Sequence, residues 1–441
     1  MTATKRQDEN AVEVLDWVKG DNLGLDIPAH GEALRAGGTR FLTQAFRAAG
    51  AIGEDNRVSR IRLLKECPGG STGRKLLLTV NYKTPSPDLP TKLFVKFSRD
   101  FDDPIRDRAK NQLEAEVRLG LLSRTPSFPI KAPACLFADY NHETGTGLLI
   151  TERVPFGKNG VEPPHEKCLD YLIADPLAHY RVIVAALARL SGSHKAGKLD
   201  ACVETYFPFD AEAEIKADPI RYDARQIGNR IARYGEFAAQ YPQYLPDNIR
   251  EPAFIEQLAR EAPRFLEHQA AIKSFLYSKP DFIALCHWNA NIDNAFFWRD
   301  EAGQLHCGLM DWGRVGQMSV AMSLWGALSA AETDFWNAHL DDLLALYVAE
   351  FRAVGGPKLD AEEIKQHMML FIALLGLAWL LDAPALMKRQ FEDFDALSGP
   401  RDPRFAASET ARAQRVMLSN VLNLWRTQDF GARLDRMLAA R

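Results

Sequence analysis

The pattern of apolar and polar residues changes near Pro155. Before that proline, short runs in which apolar and polar residues alternate predict β-strands, because alternation gives each strand one apolar face. After it, apolar residues recur at intervals of three and four, which predicts amphipathic helices. Two glycines and two prolines between residues 157 and 164 indicate a linker. We therefore expect two domains, one over residues 1–155 and one over residues 156–441.

The first domain is predicted to hold an antiparallel sheet and one key helix. Turn residues separate its strand-like runs, and such short connections favour antiparallel neighbours. The helix is predicted over Asn111–Leu122, where Leu113, Val117 and Leu121 lie on one stripe. The predicted strands are Val58–Lys65, Lys75–Tyr82, Lys92–Phe97, Ala134–Tyr140 and Gly147–Thr151. The first fifty residues are charged and are predicted to form a helical extension.

The second domain is predicted to be larger and mainly helical. One segment, Phe282–Gly316, interrupts the helical pattern with short strands and loops. The whole sequence therefore predicts an α+β protein in which a sheet domain precedes a helical domain. The predicted helices are Tyr180–Ala196, Glu256–Phe275, Val320–Ala331, His339–Val354 and Met368–Met387. Trp325, Trp336 and Trp379 lie in these segments, and we expect them in the core.

Composition and charge narrow the class of protein. The 441 residues carry 54 basic and 58 acidic side chains, a net charge of −4, so no overall electrostatic attraction favours nucleic acid. None of the six cysteines stands in a CxxC pair, which argues against a zinc ribbon and predicts reduced thiols. The N-terminal segment lacks the apolar core of a signal peptide, and the most apolar stretch, Met368–Leu381, falls short of the ~20 residues of a membrane span. We expect a cytoplasmic protein whose partners include neither membrane nor nucleic acid.

The segment Phe282–Gly316 carries the residues with the clearest chemical use. One loop reads His287-Trp-Asn-Ala-Asn-Ile-Asp-Asn294, and a later apolar strand ends in Asp311-Trp-Gly. An asparagine carbonyl and an aspartate carboxylate are hard oxygen ligands of the kind that Mg²⁺ prefers. Two such groups on neighbouring loops indicate that this segment holds a divalent metal on nucleotide phosphates.

This pattern resembles the aminoglycoside phosphotransferase and choline kinase group of the protein-kinase-like superfamily. The family signature is H-G-D-x-x-x-x-N, followed by a strand that ends in D-W-G or a similar triplet. The resemblance extends from about Ser59 to Ala331. It implies a two-lobed kinase-like fold, ATP and Mg²⁺ as cofactors, and transfer of phosphate to a hydroxyl of a small molecule. It also implies that Asn294 and Asp311 are metal ligands and that His287 braces the loop.

Lys96 stands between apolar residues in a predicted strand, and a lysine buried there needs a charged partner. Glu116, on the helix that follows, is the expected partner. Glu114 is the alternative, two residues away and so on a different face of the helix. In the family that this chain resembles, such a lysine binds phosphates and such a carboxylate orients it.

The resemblance assigns the remaining roles. The linking segment Leu148–Val154 resembles the connection between the kinase lobes, where the backbone of Glu152 and Val154 would bind adenine. His194 resembles the family's Leu-x-x-x-His helix end and is expected to support the metal loop. The family's phosphate-covering loop corresponds to the segment that contains Gly70, Ser71, Thr72 and Gly73. Glycines at such a place also suit an ordinary hairpin turn, so the loop motif alone is weak.

One position departs from the family pattern. Asn289 stands where the family has its catalytic aspartate, and Trp288 replaces the usual glycine. An amide can orient a hydroxyl but cannot accept its proton. In one interpretation Asn289 orients a substrate that needs no base, or that uses a neighbouring carboxylate such as Asp293.

In a second interpretation the protein binds Mg·ATP without transferring phosphate, as a pseudokinase that senses or scaffolds. In a third, only the fold remains; the joint presence of the lysine, both metal ligands and Glu116 counts against it. The acceptor is left broad, because residues 201–269 and 331–401, where the family builds its acceptor pocket, mix acidic and basic side chains. A sugar, an amino alcohol or an aminoglycoside-like molecule is expected.

Overall fold

The computed structural model describes residues 15–67, 73–106 and 111–440. The chain divides into two compact units. The first comprises Met1–Phe128, Ala132–Val154 and Asp311–Val315, and the second comprises Pro129–Lys131, Pro155–Met310 and Gly316–Arg441. A single cut at residue 155 therefore misplaces two short segments, 129–131 and 311–315, each of which lies with the other unit.

The first unit contains a five-stranded sheet of order β3-β4-β5-β7-β6, with every neighbouring pair antiparallel. Its elements are β1 (Trp17–Lys19), β2 (Asp26–Pro28), α1 (Gly31–Ala48), β3 (Val58–Cys67), β4 (Lys75–Tyr82), β5 (Lys92–Phe97), α2 (Asn111–Leu122), β6 (Cys135–Asn141) and β7 (Thr146–Glu152). The predicted antiparallel sheet with its helix is confirmed. The helical prediction for the N-terminal segment is wrong over residues 17–28, where β1 and β2 pair; strands of three residues are too short to show alternation.

The two faces of this sheet bury different helices. Phe41 and Phe46 of α1 join one apolar cluster with Val95 and its neighbours in the sheet. Val117 of α2 joins a separate cluster that includes Leu149. Since side chains alternate along a strand, the residue after Val95 on β5 turns toward α2. That residue is Lys96.

The second unit is mainly helical, as predicted. Its strands are β8 (Ile283–His287), β9 (Ala295–Arg299), β10 (Leu305–Leu309) and β11 (Val315–Ser319), paired as β8 with β11 and β9 with β10. Its helices are α3 (Pro176–Lys195), α4 (Cys202–Tyr206), α5 (Ala211–Lys216), α6 (Ala224–Gln240), α7 (Asp247–Arg250), α8 (Pro252–Glu267), α9 (Gln269–Leu276), α10 (Val320–Leu328), α11 (Thr333–Ala353), α12 (Ala361–Leu375), α13 (Ala383–Lys388), α14 (Pro403–Ala407), α15 (Glu409–Thr427) and α16 (Phe430–Ala439). The predicted helix Glu256–Phe275 is two helices, separated at His268.

Helix α3 packs against α11 and against the strands β8 and β10. Asp175 caps its N-terminus by accepting a hydrogen bond from the N–H of Ala178. Most of its side chains are buried, down to His194 in the last turn. A helix buried on several sides therefore fixes β8, which leads into the asparagine-containing loop, and β10, which precedes Asp311.

The most apolar helix differs from its prediction in two ways. Helix α12 continues through a π-helical turn, Gly376–Leu380, so the continuous stretch Ala361–Leu380 is 20 residues long and begins earlier than predicted. By length and composition that stretch could cross a membrane, but 67% of it is buried within the protein. Trp379, expected in the core, is 61% exposed. Trp325 and Trp336 are buried as expected.

A buried carboxylate precedes helix α3. Asp170 accepts a hydrogen bond of 2.5 Å from the hydroxyl of Tyr180, and its Oδ1 has no hydrogen-bond partner among the described residues. Burial raises the pKa of Asp170 to about 7, and the negative charges of Glu332 and Asp293 add to the effect. The folded protein therefore keeps a proton on this carboxyl that the unfolded chain releases.

We predict that this proton makes stability fall as the pH rises from about 4 to 7. In that range the folded state binds one more proton than the unfolded state, a dependence of at most about 1.4 kcal/mol per pH unit. Asp170→Asn should flatten the dependence of Tm on pH, measured by scanning calorimetry. Asp360→Asn, at a helix cap where either residue serves, should keep the wild-type slope. Equal slopes in all three proteins would contradict the prediction.

Candidate active site

The ammonium group of Lys96 lies between two carboxylates of the first unit. Its Nζ is 2.7 Å from Glu116 Oε1 and 2.7 Å from Asp311 Oδ1. The side chains of Lys96 and Glu116 are only 10% and 3% exposed. Two acidic partners keep this buried ammonium from being left without a counter-charge.

Three different elements supply these groups. Lys96 comes from β5, a central strand of the sheet, and faces α2 because of the alternation on that strand. Glu116 lies on α2 next to Val117, which packs on the sheet. Asp311 follows β10 and has a left-handed backbone, with φ at 62°, a conformation that aspartate adopts more readily than most residues.

The pKa values of the two carboxylates beside Lys96 are shifted in opposite directions. Burial by itself raises the pKa of Asp311, but the charge and hydrogen bond of Lys96 outweigh it and hold the pKa below its usual range. For Glu116, burial is the largest influence and raises the pKa, and the nearby charge of Asp311 acts in the same direction. Burial lowers the pKa of Lys96, but the two carboxylates outweigh it and the net shift is upward. Asp311 is thus an ionised carboxylate beside a charged lysine.

The helix carries a second carboxylate with different partners. Glu114 pairs with Arg118 and lies 3.3 Å from the imidazole Nδ1 of His142. It makes no contact with Lys96. Of the two glutamates that the sequence left open, Glu116 is the one that meets the lysine.

Of the predicted phosphate loop, Gly70, Ser71 and Thr72 lie outside the described residues. Gly73 is described, and its backbone has φ at +144°. A Cβ built on Gly73 would come 2.0 Å from the carbonyl oxygen of Phe97, so only glycine fits. Gly73 therefore lets the end of the loop lie directly on the strand that bears Lys96.

The segment predicted to bind adenine offers fewer free groups than expected. The N–H of Glu152 donates to the carbonyl of Ala134 at 2.7 Å, and the N–H of Arg153 donates to that of Lys92 at 3.0 Å. Val154 makes no hydrogen bond to any described residue. Its backbone N–H and carbonyl are therefore available to a ligand, whereas the N–H of Glu152 is not.

In the second unit, His287 braces the asparagine-containing loop. Its Nδ1 accepts the N–H of Asn289 at 3.1 Å, so the ring proton is on Nε2, which lies 3.0 Å from the carbonyl of Met310. His194 supports the strand that precedes this loop, because its Nδ1 accepts the N–H of Leu285 at 3.0 Å. Burial lowers the pKa of His194, although the hydrogen bond to Glu204 opposes the shift.

A chain of side-chain hydrogen bonds orients Asn289. The Oδ1 of Asn289 accepts from the Nδ2 of Asn291 at 2.6 Å, and the Oδ1 of Asn291 accepts from the hydroxyl of Ser329 at 3.2 Å. This assignment leaves the amide NH₂ of Asn289 as the group that can meet a ligand. The sequence offered only the repeated asparagine as a signal for this network, and Asn291 and Ser329 were not predicted.

Asn294 is oriented by the same loop. Its Nδ2 donates to the carbonyl of Asn289 at 2.7 Å, and its Oδ1 accepts no hydrogen bond from a described residue. A free amide oxygen on Asn294 and an ionised carboxylate on Asp311 are each suited to a Mg²⁺ ion within their own units. Asp293, considered above as a substitute base, instead lies 3.7 Å from the ammonium of Lys167.

Two further contacts fix the loop and were not predicted. The ring of Trp288 packs edge-on against Phe371 of α12, with centroids 5.6 Å apart. A Cβ built on Gly326 of α10 would come 1.6 Å from the carbonyl oxygen of Trp288. Helix α10 therefore touches the backbone of the loop directly, which only a glycine at position 326 permits.

No family model matches this chain, and no curated protein matches it. Solved structures that align with it include choline kinase from Cryptosporidium parvum Iowa II, at 10% identity and a TM-score of 0.39, covering 91% of this chain and 96% of that one. Plasmodium vivax ethanolamine kinase aligns at 12% identity and a TM-score of 0.41, covering 85% of each chain. The GDP complex of aminoglycoside 2'-phosphotransferase-IIIa aligns at 14% identity and 0.37, covering 83% and 94%. At these identities and TM-scores the alignments say nothing about chemistry, which has to be inferred from the residues of the site.

We predict that Glu116→Gln destabilises the protein by about 1–3 kcal/mol, because the buried Lys96 loses one of its two charged hydrogen-bond partners. The matched control is Glu114→Gln on the same helix. It should cost less stability, because Arg118 and His142 are at least partly exposed and water can solvate them when the carboxylate is lost. Urea denaturation of the three proteins measures the difference. Equal destabilisation by the two variants would show that the contact with Lys96 has no special weight.

Proposed function

We propose that the protein is a cytoplasmic ATP-dependent phosphotransferase that acts on a hydroxyl of a small molecule. The observation that carries the proposal is the buried Lys96 held between Glu116 and Asp311. A lysine fixed in this way presents a localised positive charge to phosphate oxygens, and an ionised aspartate beside it is suited to a metal that bridges them. A structural ion pair needs one carboxylate, whereas this lysine has two.

In the first unit, the proposal assigns nucleotide binding to Lys96, to the loop that ends at Gly73, and to the backbone of Val154. Gly70, Ser71 and Thr72 belong to that loop by resemblance. Bound Mg²⁺ would neutralise charge on the transferred phosphate. Asp311 would hold it by carboxylate oxygen and Asn294, in the second unit, by amide oxygen.

Asn289 is assigned to the acceptor. Its amide, oriented by Asn291, can hold an acceptor oxygen in line with the phosphate but cannot take the proton. Phosphoryl transfer depends mainly on positioning and on charge stabilisation, so the absence of a base slows the reaction rather than abolishing it. Loss of a general base typically costs roughly 10²–10⁴-fold in rate. The expected acceptors are sugars, amino alcohols or aminoglycoside-like molecules.

The hydrogen bonding of Asn289 favours a second candidate, a pseudokinase that binds Mg·ATP as a sensor or scaffold. The Oδ1 of Asn289 is already engaged by Asn291, so no proton acceptor is available at this position. This candidate predicts nucleotide binding without turnover. The two candidates differ in what Asn289 does, and the second test below separates them.

We predict that Mg·ATP raises the Tm and that Asp311→Ala removes most of the rise. A ligand present at 100 times its Kd stabilises a protein by about 2.7 kcal/mol. The variant loses the charged metal ligand, while Lys96 keeps Glu116 as a partner. Asp300→Asn is the control, because Asp300 pairs with His306 on the β9–β10 hairpin. If neither calorimetry nor thermal shift detects nucleotide in the unaltered protein, both candidates fail.

We predict that Asn289→Ala lowers kcat while the Kd for Mg·ATP stays nearly constant, the behaviour of a lost transition-state interaction. Asn289→Asp should fold normally, because the Nδ2 of Asn291 can donate to a carboxylate as it does to the amide. It should raise kcat if proton acceptance limits the rate. Phosphate transfer is to be measured with all three proteins across sugars, amino alcohols and aminoglycosides. No transfer and no ATP hydrolysis with either Asn or Asp at position 289 would leave the pseudokinase as the function.

A further inference from the structure

Three metal-ligating side chains of the second unit converge outside the loop that carries Asn289. The Oε2 of Glu162 lies 2.9 Å from the Nε2 of His179 and 3.2 Å from the Nε2 of His165. All three ligand atoms lie within 4.8 Å of one another. The cluster takes no part in the function proposed above.

The local fold holds each of the three in place. The N–H of Glu162 donates to the carbonyl of Phe297 on β9 at 2.8 Å, so this end of the predicted linker is hydrogen-bonded to that strand. His165 follows Glu162 by three residues, across two prolines that restrict the backbone. His179 stands in the first turns of α3. Both imidazoles pack edge-on against the ring of Phe297, with centroids 5.5 Å and 4.7 Å away.

The orientation of His179 is the informative detail. Its Nδ1 lies 2.7 Å from the carbonyl oxygen of Asp175, and because a carbonyl only accepts, Nδ1 carries a proton. In the neutral ring the Nε2 therefore presents a lone pair to the carboxylate oxygen of Glu162. Either a second proton or a cation has to lie between them. A histidine that donates its other N–H to a backbone carbonyl is also the usual arrangement of a metal ligand.

The spacing of the ligand atoms fits one class of metal. Zinc binds nitrogen and oxygen at about 2.0–2.1 Å, so tetrahedral ligand atoms stand roughly 3.3 Å apart. The two distances to Glu162 differ from that by a few tenths of an ångström. Two imidazoles and a carboxylate suit zinc and similar transition metals, whereas Mg²⁺ prefers oxygen alone. Glu162 and His165 are partly exposed, which gives the ion a path of entry.

We propose that Glu162, His165 and His179 bind a zinc ion, with the fourth position open to water. The ion would fasten residues 162–165 to helix α3, which supplies His179. The site is separate from the magnesium site proposed above, and its test does not depend on phosphate transfer.

The test uses the full chain without an affinity tag, stripped with a chelator and dialysed into metal-free buffer. Zn²⁺ is titrated by calorimetry, and Co²⁺ by its visible absorption, whose intensity reports tetrahedral coordination. We expect one site per chain, a rise in Tm with Zn²⁺, and no competition from Mg²⁺. Glu162→Gln and His165→Gln should each weaken binding by more than about 100-fold, beyond the 10–100-fold that loss of an outer-shell partner costs.

His306→Gln is the matched control, because His306 also pairs with a single carboxylate, Asp300, at 3.0 Å, and no other described side chain joins them as a third ligand. It should bind zinc as the unaltered protein does. Circular dichroism of the variants establishes that they fold, and the change at the partly exposed His165 is expected to be the less disruptive one. Absence of stoichiometric Zn²⁺ binding, or binding that neither ligand variant weakens, would overturn the proposal.

Discussion

The buried positive charge of Lys96 constrains the strand, the helix and the turn that surround it in the first unit. The ammonium can be buried against the sheet only because Glu116 and Asp311 supply opposite charge next to it. The alternation on β5 aims it at α2, and the left-handed turn at Asp311 brings the second carboxylate. Under the proposed function, a phosphate that takes the place of Asp311 at the lysine leaves that carboxylate free for a metal. Lys96 would then pair with the phosphate and Glu116, and Asp311 would pair with the metal, so that none of these three charged side chains would lack a partner.

Much of the first unit could be predicted because local patterns and tertiary structure agree there. Strands β4 and β5 and helix α2 have the bounds that alternation and helical spacing predicted. The contact between Lys96 and Glu116 could also be anticipated, since a buried lysine needs a carboxylate and the following helix supplies few. Strands β1 and β2 could not, because three residues show no period. The exposure of Trp379 follows from a π-helical turn, which shifts the apolar stripe and which no spacing rule foresees.

The details of the candidate site were harder to read from the sequence than its outline. The resemblance predicted that Asn289 takes the place of an aspartate, but not which end of its amide faces outward. That depends on Asn291 and Ser329, which lie 38 residues apart in the sequence and meet only in the folded chain. The cluster of Glu162, His165 and His179 could not be predicted for the same reason, since His179 lies on the next helix and meets the other two only in the folded chain.

The contact between Gly326 and the carbonyl of Trp288 has a consequence for how this protein can change. The loop rests on a neighbouring helix through the backbone of Trp288, so this support does not depend on the side chain at position 289. Substitutions at position 289 can therefore alter the chemistry offered there without moving the support beneath. A side chain at position 326 would instead collide with the carbonyl of Trp288 and displace the whole loop together with its asparagines. The identity of the side chain at position 289 is in this sense interchangeable, and its location is not.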